Sequence, residues 1–393
     1  MIITNVNIIT PLRIIENSDL RITDGIISEI GYLKPCEAEQ VIDGGGLYLA
    51  PGFIDIHLHG GGGFDFMNAN ILENEKICRM HASHGTCAMY PTSLSSSRED
   101  LNAFIQAYIK TLEIKNLPDL LGIHLEGPYF SQGQKGAQDE KYIIPPDYNE
   151  YSEIIEYGGG HIKRWSIAPE VKGAFSMAAY LRKKGIVVSA AHTDAGYCDM
   201  LEAVENGVSL LTHFYSCMTG VHRKNAYRHA GVIEAGYGID ELNVEIIADG
   251  RHLPPELLKL ILKLKGSDKT VLVTDASMGA GMPDGEYILG NEKNGQKIIV
   301  ENEVAFVADK TAFAGSIATA DKLVRNMVRL SDASLCDAVK MMTLTPARIM
   351  GISHFLGSIT VGKRANLVLF DEDININMSI AGGNIIYERG NEK

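Results

Sequence analysis

The sequence predicts an α/β protein: a (β/α)8 TIM barrel joined to a small β-sandwich made from both chain ends. Three observations lead there. A unit of short apolar run, turn and helical stretch recurs eight times between Gly52 and about residue 275. The flanks instead carry β-branched segments punctuated by turns, too few on either side to close a core alone. Histidines and carboxylates stand at the C-terminal ends of the apolar runs, the rim where barrels of this kind keep their reactive groups.

The eight runs are 53–59, 87–91, 120–125, 164–168, 186–191, 210–213, 244–248 and 270–274. Continuous apolar runs are what strands covered on both faces look like. Between them, 174–184, 195–205 and 254–265 space their apolar residues near 3.6, the helical period, and Pro254 and Pro255 suit a first helical turn. Strictly alternating strand and helix favour a barrel of about 250 residues over an open sheet. In the flanks, 2–9, 19–31 and 40–49, with 365–371 and 384–387, read as strands, with a turn at Thr23-Asp24-Gly25. Residues 1–49 with 356–393 are therefore expected to form the sandwich, and 50–355 the barrel. A strand-rich insert is expected near 285–307, its hairpin turn at Glu292-Lys293-Asn294-Gly295.

The bulk numbers exclude more than they select. The 393 residues carry 45% hydrophobic and 22% charged residues, ordinary for a soluble globular protein. No apolar run reaches the ~18 residues of a membrane span. The first residues read as a strand without the flanks of a signal peptide, so a cytoplasmic setting is expected. A formal charge of −13 offers neither nucleic acid nor anionic membrane a basic surface, yet leaves a small anionic substrate open. The six cysteines are scattered, with no Cys-x-x-Cys, and are expected to be reduced thiols.

The chemistry gathers at the strand ends. In Ile54-Asp55-Ile56-His57-Leu58-His59 the two histidines fall on one face of a strand, about 7 Å apart along it. Glu126 ends the third run, His192 the fifth, His213 the sixth, Asp249 the seventh and Asp275 the eighth, with His252 close behind. Four of only 12 histidines thus close strands on one rim. Imidazole and carboxylate suit zinc and similar divalent metals, which activate water and polarise a carbonyl. A carboxylate such as Asp275 beside the ion can accept the proton of that water and pass it on. A hydrolase of an amide or ester needs that set of groups.

Motif by motif, the chain also resembles the N-acetylglucosamine 6-phosphate deacetylase family of the amidohydrolase superfamily. The resemblance is carried by Ile123-His124-Leu125-Glu126-Gly127-Pro128, Lys135-Gly136-Ala137, His192-Thr193-Asp194-Ala195, Thr212-His213, Ala248-Asp249-Gly250-Arg251-His252, Val273-Thr274-Asp275-Ala276, Ala314-Gly315-Ser316 and Thr345-Pro346-Ala347-Arg348. It implies deacetylation of an N-acetylated amino-sugar 6-phosphate. Glu126, His192 and His213 would hold the main divalent metal, zinc or iron, and His57 and His59 a second, with Glu126 as bridge. Asp275 would be general base and then acid, and His252 would polarise the acetyl carbonyl or hold the sugar. Gly136, Ala137, Ser216, Cys217, Ser316, Arg223 and Arg228 are the implied substrate contacts, and a homodimer is the implied assembly. Relatives that bridge two metals through a lysine ending strand four have no counterpart here, where that run ends Ser166-Ile167-Ala168-Pro169-Glu170.

Three departures lie in the recognition part. Tyr215-Ser216-Cys217-Met218 replaces an aromatic-Asn-Ala-Met pattern, Gln138 stands where a histidine is usual, and 222–229 is longer than the usual phosphate-binding segment. Arg223 and Arg228 could clamp a phosphate there or belong to a solvated basic loop, and Ser316 could contact substrate or cap the helix near Thr319. The same scaffold would also serve a different acylated amino sugar, an N-acyl amino acid or a cyclic amide.

Overall fold

The fold was examined in a computed structural model, which describes residues 1–390. Eight parallel strands appear where the apolar runs fall: Phe53–Leu58, Thr86–Pro91, Ile123–Glu126, Ile162–Ile167, Val187–Ala190, Val208–Leu211, Asn243–Ile246 and Thr270–Leu272. Five of the eight are one or two residues shorter than the runs. A helix follows each strand, from Ile71–Ser83 after the first to Ala320–Leu330 after the eighth. Asn70, Ser97 and Asp147 cap three of these helices through their side chains. Pro254 is the residue before Pro255–Lys265, where its missing N–H costs nothing.

The parallel sheet curls. The first strand pairs with the second, and Thr92 bridges to His124 to join the second to the third. The third to eighth then run in one parallel order. At the far end the Asp275 amide donates to the His57 carbonyl at 2.9 Å, so the last strand returns to the first. Every residue of the first and second strands is buried, as sequence continuity required.

Both chain ends meet in one eight-stranded sheet. Tyr48–Pro51 pairs antiparallel with Leu367–Phe370 and parallel with Ile2–Ile9, which stitches N-terminal strands to C-terminal ones. Side chains alternate between two cores. Leu367 and Leu369 pack with Ile3, Val6, Ile8 and Leu20 in a core of the sheet's own. Val368 and Phe370 turn the other way, onto Phe53 and the main core. The turn at Asp24 and Gly25 has φ of 50° and 76°, and a Cβ on Gly25 would lie 2.7 Å from the Gly382 carbonyl oxygen. Only glycine fits there.

Three elements were not read from the sequence. Ile14–Thr23 starts well before residue 19, because exposed Glu16 and Asn17, the latter at φ 47°, interrupt the alternation. Ile376–Ala381 alternates apolar and polar residues over only six positions, between the acidic Asp371-Glu372-Asp373 and the turn at Gly382-Gly383. His222–Lys224 and Tyr227–His229 form a hairpin around Asn225 and Ala226, both at positive φ. All six of its strand residues are exposed, so no apolar face advertised it. The insert is present as Gly285–Leu289, Gln296–Glu301 and Val304–Val307, an antiparallel sheet after the eighth strand. Among the described residues, no helix is long and apolar enough to cross a membrane.

Buried His81, on Ile71–Ser83, shares a 2.9 Å hydrogen bond with the Gly60 carbonyl beside His59. A carbonyl accepts only, so the ring donates there. Burial pushes its imidazole down to about 4. The unfolded chain, with histidine near 6.5, therefore gains a proton that the native fold refuses as pH falls from about 6.5 to about 4. His81 should thus withdraw up to about 3 kcal/mol of stability across that window, none of it above about pH 6.5. In His81→Gln, denaturant unfolding should depend less steeply on pH between those values than in the parent.

Candidate metal centre

The rim of the curled sheet carries two sets of three donor groups. Glu126, His192 and His213 form one, and His57, His59 and Asp275 the other. In the first, Nε2 of His213 lies 3.2 Å from Nε2 of His192 and 3.2 Å from Oε1 of Glu126, with His192 to Glu126 at 3.5 Å. In the second, the separations are 3.3 Å between the two Nε2 atoms and 3.4 and 3.2 Å from them to Asp275 Oδ1. Tetrahedral bonds of about 2.0–2.1 Å to a zinc-like ion set ligand-to-ligand edges of roughly 3.3–3.4 Å. Both sets match that edge, so the residues present fit a divalent cation. Glu126 touches both: Oε1 is 3.4 Å from His57 Nε2, and Oε2 is 3.4 Å from His59 Nε2.

The backbone is bent to achieve this. His192, His213 and Asp275 sit at φ 47°, 33° and 48°, in the left-handed region. For residues with a Cβ that costs of order 1–3 kcal/mol each, and such strain concentrates at functional sites. The imidazoles are aimed by their other nitrogens. Nδ1 of His192 pairs with the Gln134 carbonyl at 2.8 Å, and Nδ1 of His213 with the Ser216 carbonyl at 3.2 Å. Nδ1 of His57 lies 3.5 Å from Glu245 Oε2. Acceptors in these places hold a ligating histidine in one tautomer and orientation.

Glu245 was not singled out from the sequence, nor was Arg164. They make a fully buried ion pair beneath the rim. Arg164 also donates to the Ile56 carbonyl, Ser189 Oγ and Thr212 Oγ1, tying the first, fourth, fifth and sixth strand regions together. The signal was available: a charged residue inside an otherwise apolar, doubly covered strand.

Burial works to raise the Glu126 carboxyl, but the His57 charge and hydrogen bonds from His192 and His213 outweigh it. The group is held well below the usual carboxylate range. Asp275 follows the same pattern: burial opposes ionisation, while His57 and His59 win and lower it. Both are anions at neutral pH. His59 is pulled up to about 9, since Asp275 and Glu126 overcome the burial that would lower it.

One cavity of about 220 Å³ opens onto these groups. His59, Glu126, His192, His213, His252 and Asp275 line it, and Gly136, Ala137, Ser216 and Cys217 line it too. Gly136, at φ +54°, could not carry a Cβ, which would lie 2.6 Å from Cys217 Sγ. His252 uses Nδ1 on Asp249 at 2.8 Å, which leaves Nε2 for the cavity, and its ring packs on Phe313. Fully buried His57 sits behind this lining. Gln138, Leu94, Leu289 and Phe313 also reach the cavity and were not predicted as contacts.

Three expected contacts fall elsewhere. Ser316 is buried with its hydroxyl donated to the Thr274 carbonyl at 2.6 Å, while the Ala318 amide donates to it. It therefore clamps the segment bearing Asp275, and Thr319, not Ser316, precedes the helix Ala320–Leu330. Arg223 and Arg228 face each other across the exposed hairpin, away from the lining of this cavity.

A curled parallel α/β sheet with two such donor sets on its rim is the architecture of a metal-dependent hydrolase. The chain belongs to the amidohydrolase family, whose profile matches residues 48–386. Within it, the branch is that of the N-acetylglucosamine-6-phosphate deacetylases. The enzyme of that name from Bacillus subtilis is 33% identical, over 98% of this chain and 97% of its own. An N-acetylgalactosamine-6-phosphate deacetylase from Escherichia coli O157:H7 is 30% identical, over 92% and 93%. The crystal structure of N-acetylglucosamine-6-phosphate deacetylase from Pasteurella multocida superposes with a TM-score of 0.90 at 29% identity, covering 98% of each chain.

The Arg164–Glu245 pair yields a test of its own. Glu245→Gln leaves a buried guanidinium without its counter-charge, a loss of about 3–5 kcal/mol. Arg164→Met with Glu245→Leu should recover most of that loss. Denaturant unfolding followed through Trp165, the single tryptophan, measures both.

Proposed function

We propose that the chain removes the acetyl group from an N-acetylated amino-sugar 6-phosphate, most directly N-acetylglucosamine 6-phosphate, releasing acetate and the free amine. The observation that carries this is the cavity onto which Glu126, His192, His213, His59, Asp275 and His252 converge, together with full-length similarity to deacetylases of that substrate. We read the curled sheet as a closed (β/α)8 TIM barrel spanning 50–355, and 1–49 with 356–393 as a small β-sandwich domain. The two separate cores support that division.

In this reading Glu126, His192 and His213 hold a zinc or iron ion, and His57 and His59 offer a second place. A bound divalent ion lowers the pKa of water toward ~7 and polarises a carbonyl. Asp275, ionised and at the rim, accepts the proton of the attacking water. As the C–O bond to the acetyl carbon forms and the C–N bond breaks, it delivers that proton to the leaving nitrogen. His252, its Nδ1 already committed to Asp249, orients the acetyl carbonyl or the sugar through Nε2. Gly136, Ala137, Ser216 and Cys217 shape the wall around the sugar.

Among the described residues, the cavity lining contains no arginine or lysine. The phosphate is therefore assigned to Arg223 and Arg228 of the exposed hairpin, reaching the site of a second copy in a homodimer. If the hairpin does not serve a neighbour, the same cavity suits an unphosphorylated acyl amino sugar, and this is the second reading. All six cysteines are free, which suits a reducing, cytoplasmic setting.

Acetate release should be measured from N-acetylglucosamine 6-phosphate, its galacto epimer and the unphosphorylated sugar. The gluco phosphate is expected to be turned over fastest, and equal rates without phosphate would favour the second reading. Chelation should abolish turnover and added zinc or ferrous ion restore it; undiminished turnover sinks the mechanism. Asp275→Asn should keep most of the metal while losing about 10²–10⁴ in kcat.

A further inference from the structure

Gln138 does something that its place in the cavity wall does not require. Its Nε2 donates to Oε2 of Glu126 at 2.8 Å, and its Oε1 accepts from the Ser95 amide at 2.8 Å. The amide orientation is fixed by its partners, since a carboxylate can only accept and a backbone N–H can only donate. The side chain is 5% exposed, so neither bond is traded with water.

The bond falls on one particular oxygen. Oε1 of Glu126 faces His213 and His192 of the first donor set, at 3.2 and 3.5 Å, and lies 3.4 Å from His57 Nε2 as well. Oε2 is the oxygen nearest His59, and it is the one that Gln138 occupies. A carboxylate that bridges two ions through both of its oxygens gives one to each. Here the second oxygen already receives a hydrogen bond from a side chain anchored on the backbone.

The surroundings of the histidines show the same asymmetry. His192 and His213 each have a backbone carbonyl on Nδ1, at 2.8 and 3.2 Å. In the second set, His57 has only the 3.5 Å approach of Glu245. Nδ1 of His59 is buried with no hydrogen-bond partner among the described residues. Asp65 is close enough to act on His59 by charge, but its oxygens accept from the Met67 and Gly290 amides. Ligating histidines ordinarily have an acceptor on the other nitrogen, and its loss costs about 10–100-fold in metal affinity.

We infer that Gln138 is a positioning residue that commits Glu126 to the His192–His213 site, making that site tight and the His57–His59–Asp275 site weak. The inference rests on the metal-dependent reading above and sharpens it. One ion is held at rest, and Asp275 stays outside its shell, free to exchange a proton with substrate.

The test is zinc binding to full-length protein, stripped with a chelator and titrated by equilibrium dialysis against zinc alone. Cobalt absorption spectra report the coordination of each ion. The parent should take one zinc ion tightly and a second about 100-fold or more weakly. Gln138→Leu, which removes the donor, should weaken the first ion about 10–100-fold and bring the two constants within about tenfold of each other. Gln138→Glu keeps an acceptor for the Ser95 amide while deleting the donor. It should narrow the gap likewise, and it stands in if the leucine variant does not fold. Two equal zinc sites in the parent, or an unchanged gap in the variants, would overturn the inference and leave the deacetylase reading intact. No zinc binding in the parent would remove that reading and the inference with it.

Discussion

Glu126 is one ionised carboxylate, 2% exposed, placed among four imidazoles, and the rim is organised around keeping it there. Taking a carboxylate out of water costs several kcal/mol even after relaxation, and that cost is met only if its lone pairs are engaged. Oε1 meets His57, His192 and His213, while Oε2 meets His59 and the Gln138 amide. The strained backbone of His192 and His213 follows from this requirement.

A second layer of charge lies beneath the first. Glu245 is fully buried and answers to Arg164, whose remaining donors reach three other elements. The interior of a small barrel is normally filled by branched apolar side chains. Under the rim of this curled sheet lie instead an ion pair and a row of hydroxyls: Ser166, Ser189 and Thr212. That layer serves the site above it. The Glu245 carboxylate lies beside His57 Nδ1, and the His213 amide donates to the same oxygen at 3.3 Å. A purely apolar filling would hold the strands equally well, but it would leave His57 without an acceptor and the His213 loop without its anchor.

These two layers explain what the sequence could and could not disclose. Strands covered on both faces must be apolar runs, so all eight were legible, and so were the polar residues that end them. Which ends converge was legible only because a barrel puts every strand's C-terminus on one rim. The pairing of Gln138 with Glu126 was not, since they lie 12 positions apart across a loop region and a loop carries no periodicity. Arg164 and Glu245, 81 residues apart, each looked like one polar interruption in an apolar stretch. Ser316 was misjudged for a related reason: a serine after glycine at a strand end offers the same signal whether its hydroxyl faces substrate or, as here, the Thr274 carbonyl. The strands within the basic segment 222–229 were not legible, because a hairpin exposed on both faces has no alternation to show.

The hairpin also bears on how an anionic substrate is admitted. The protein carries a net charge of −13, and the cavity itself presents Glu126 and Asp275 as anions. Repulsion from the distant surface is screened beyond about 8 Å at physiological ionic strength, so charges within a few ångströms of the cavity decide whether a phosphate binds. Within one chain, none of the described residues lining it is arginine or lysine. A divalent ion held by Glu126, His192 and His213 would offset the carboxylates, but only at the end of the cavity where the donor sets lie. The phosphate end still lacks a partner. Arg223, Lys224 and Arg228 are cations with no ion pair among the described residues, on a rigid two-stranded arm. A guanidinium fork is the natural partner for a phosphate. The proposed dimer is therefore what would complete the site, since a second copy would bring those cations to the end of the cavity that has none.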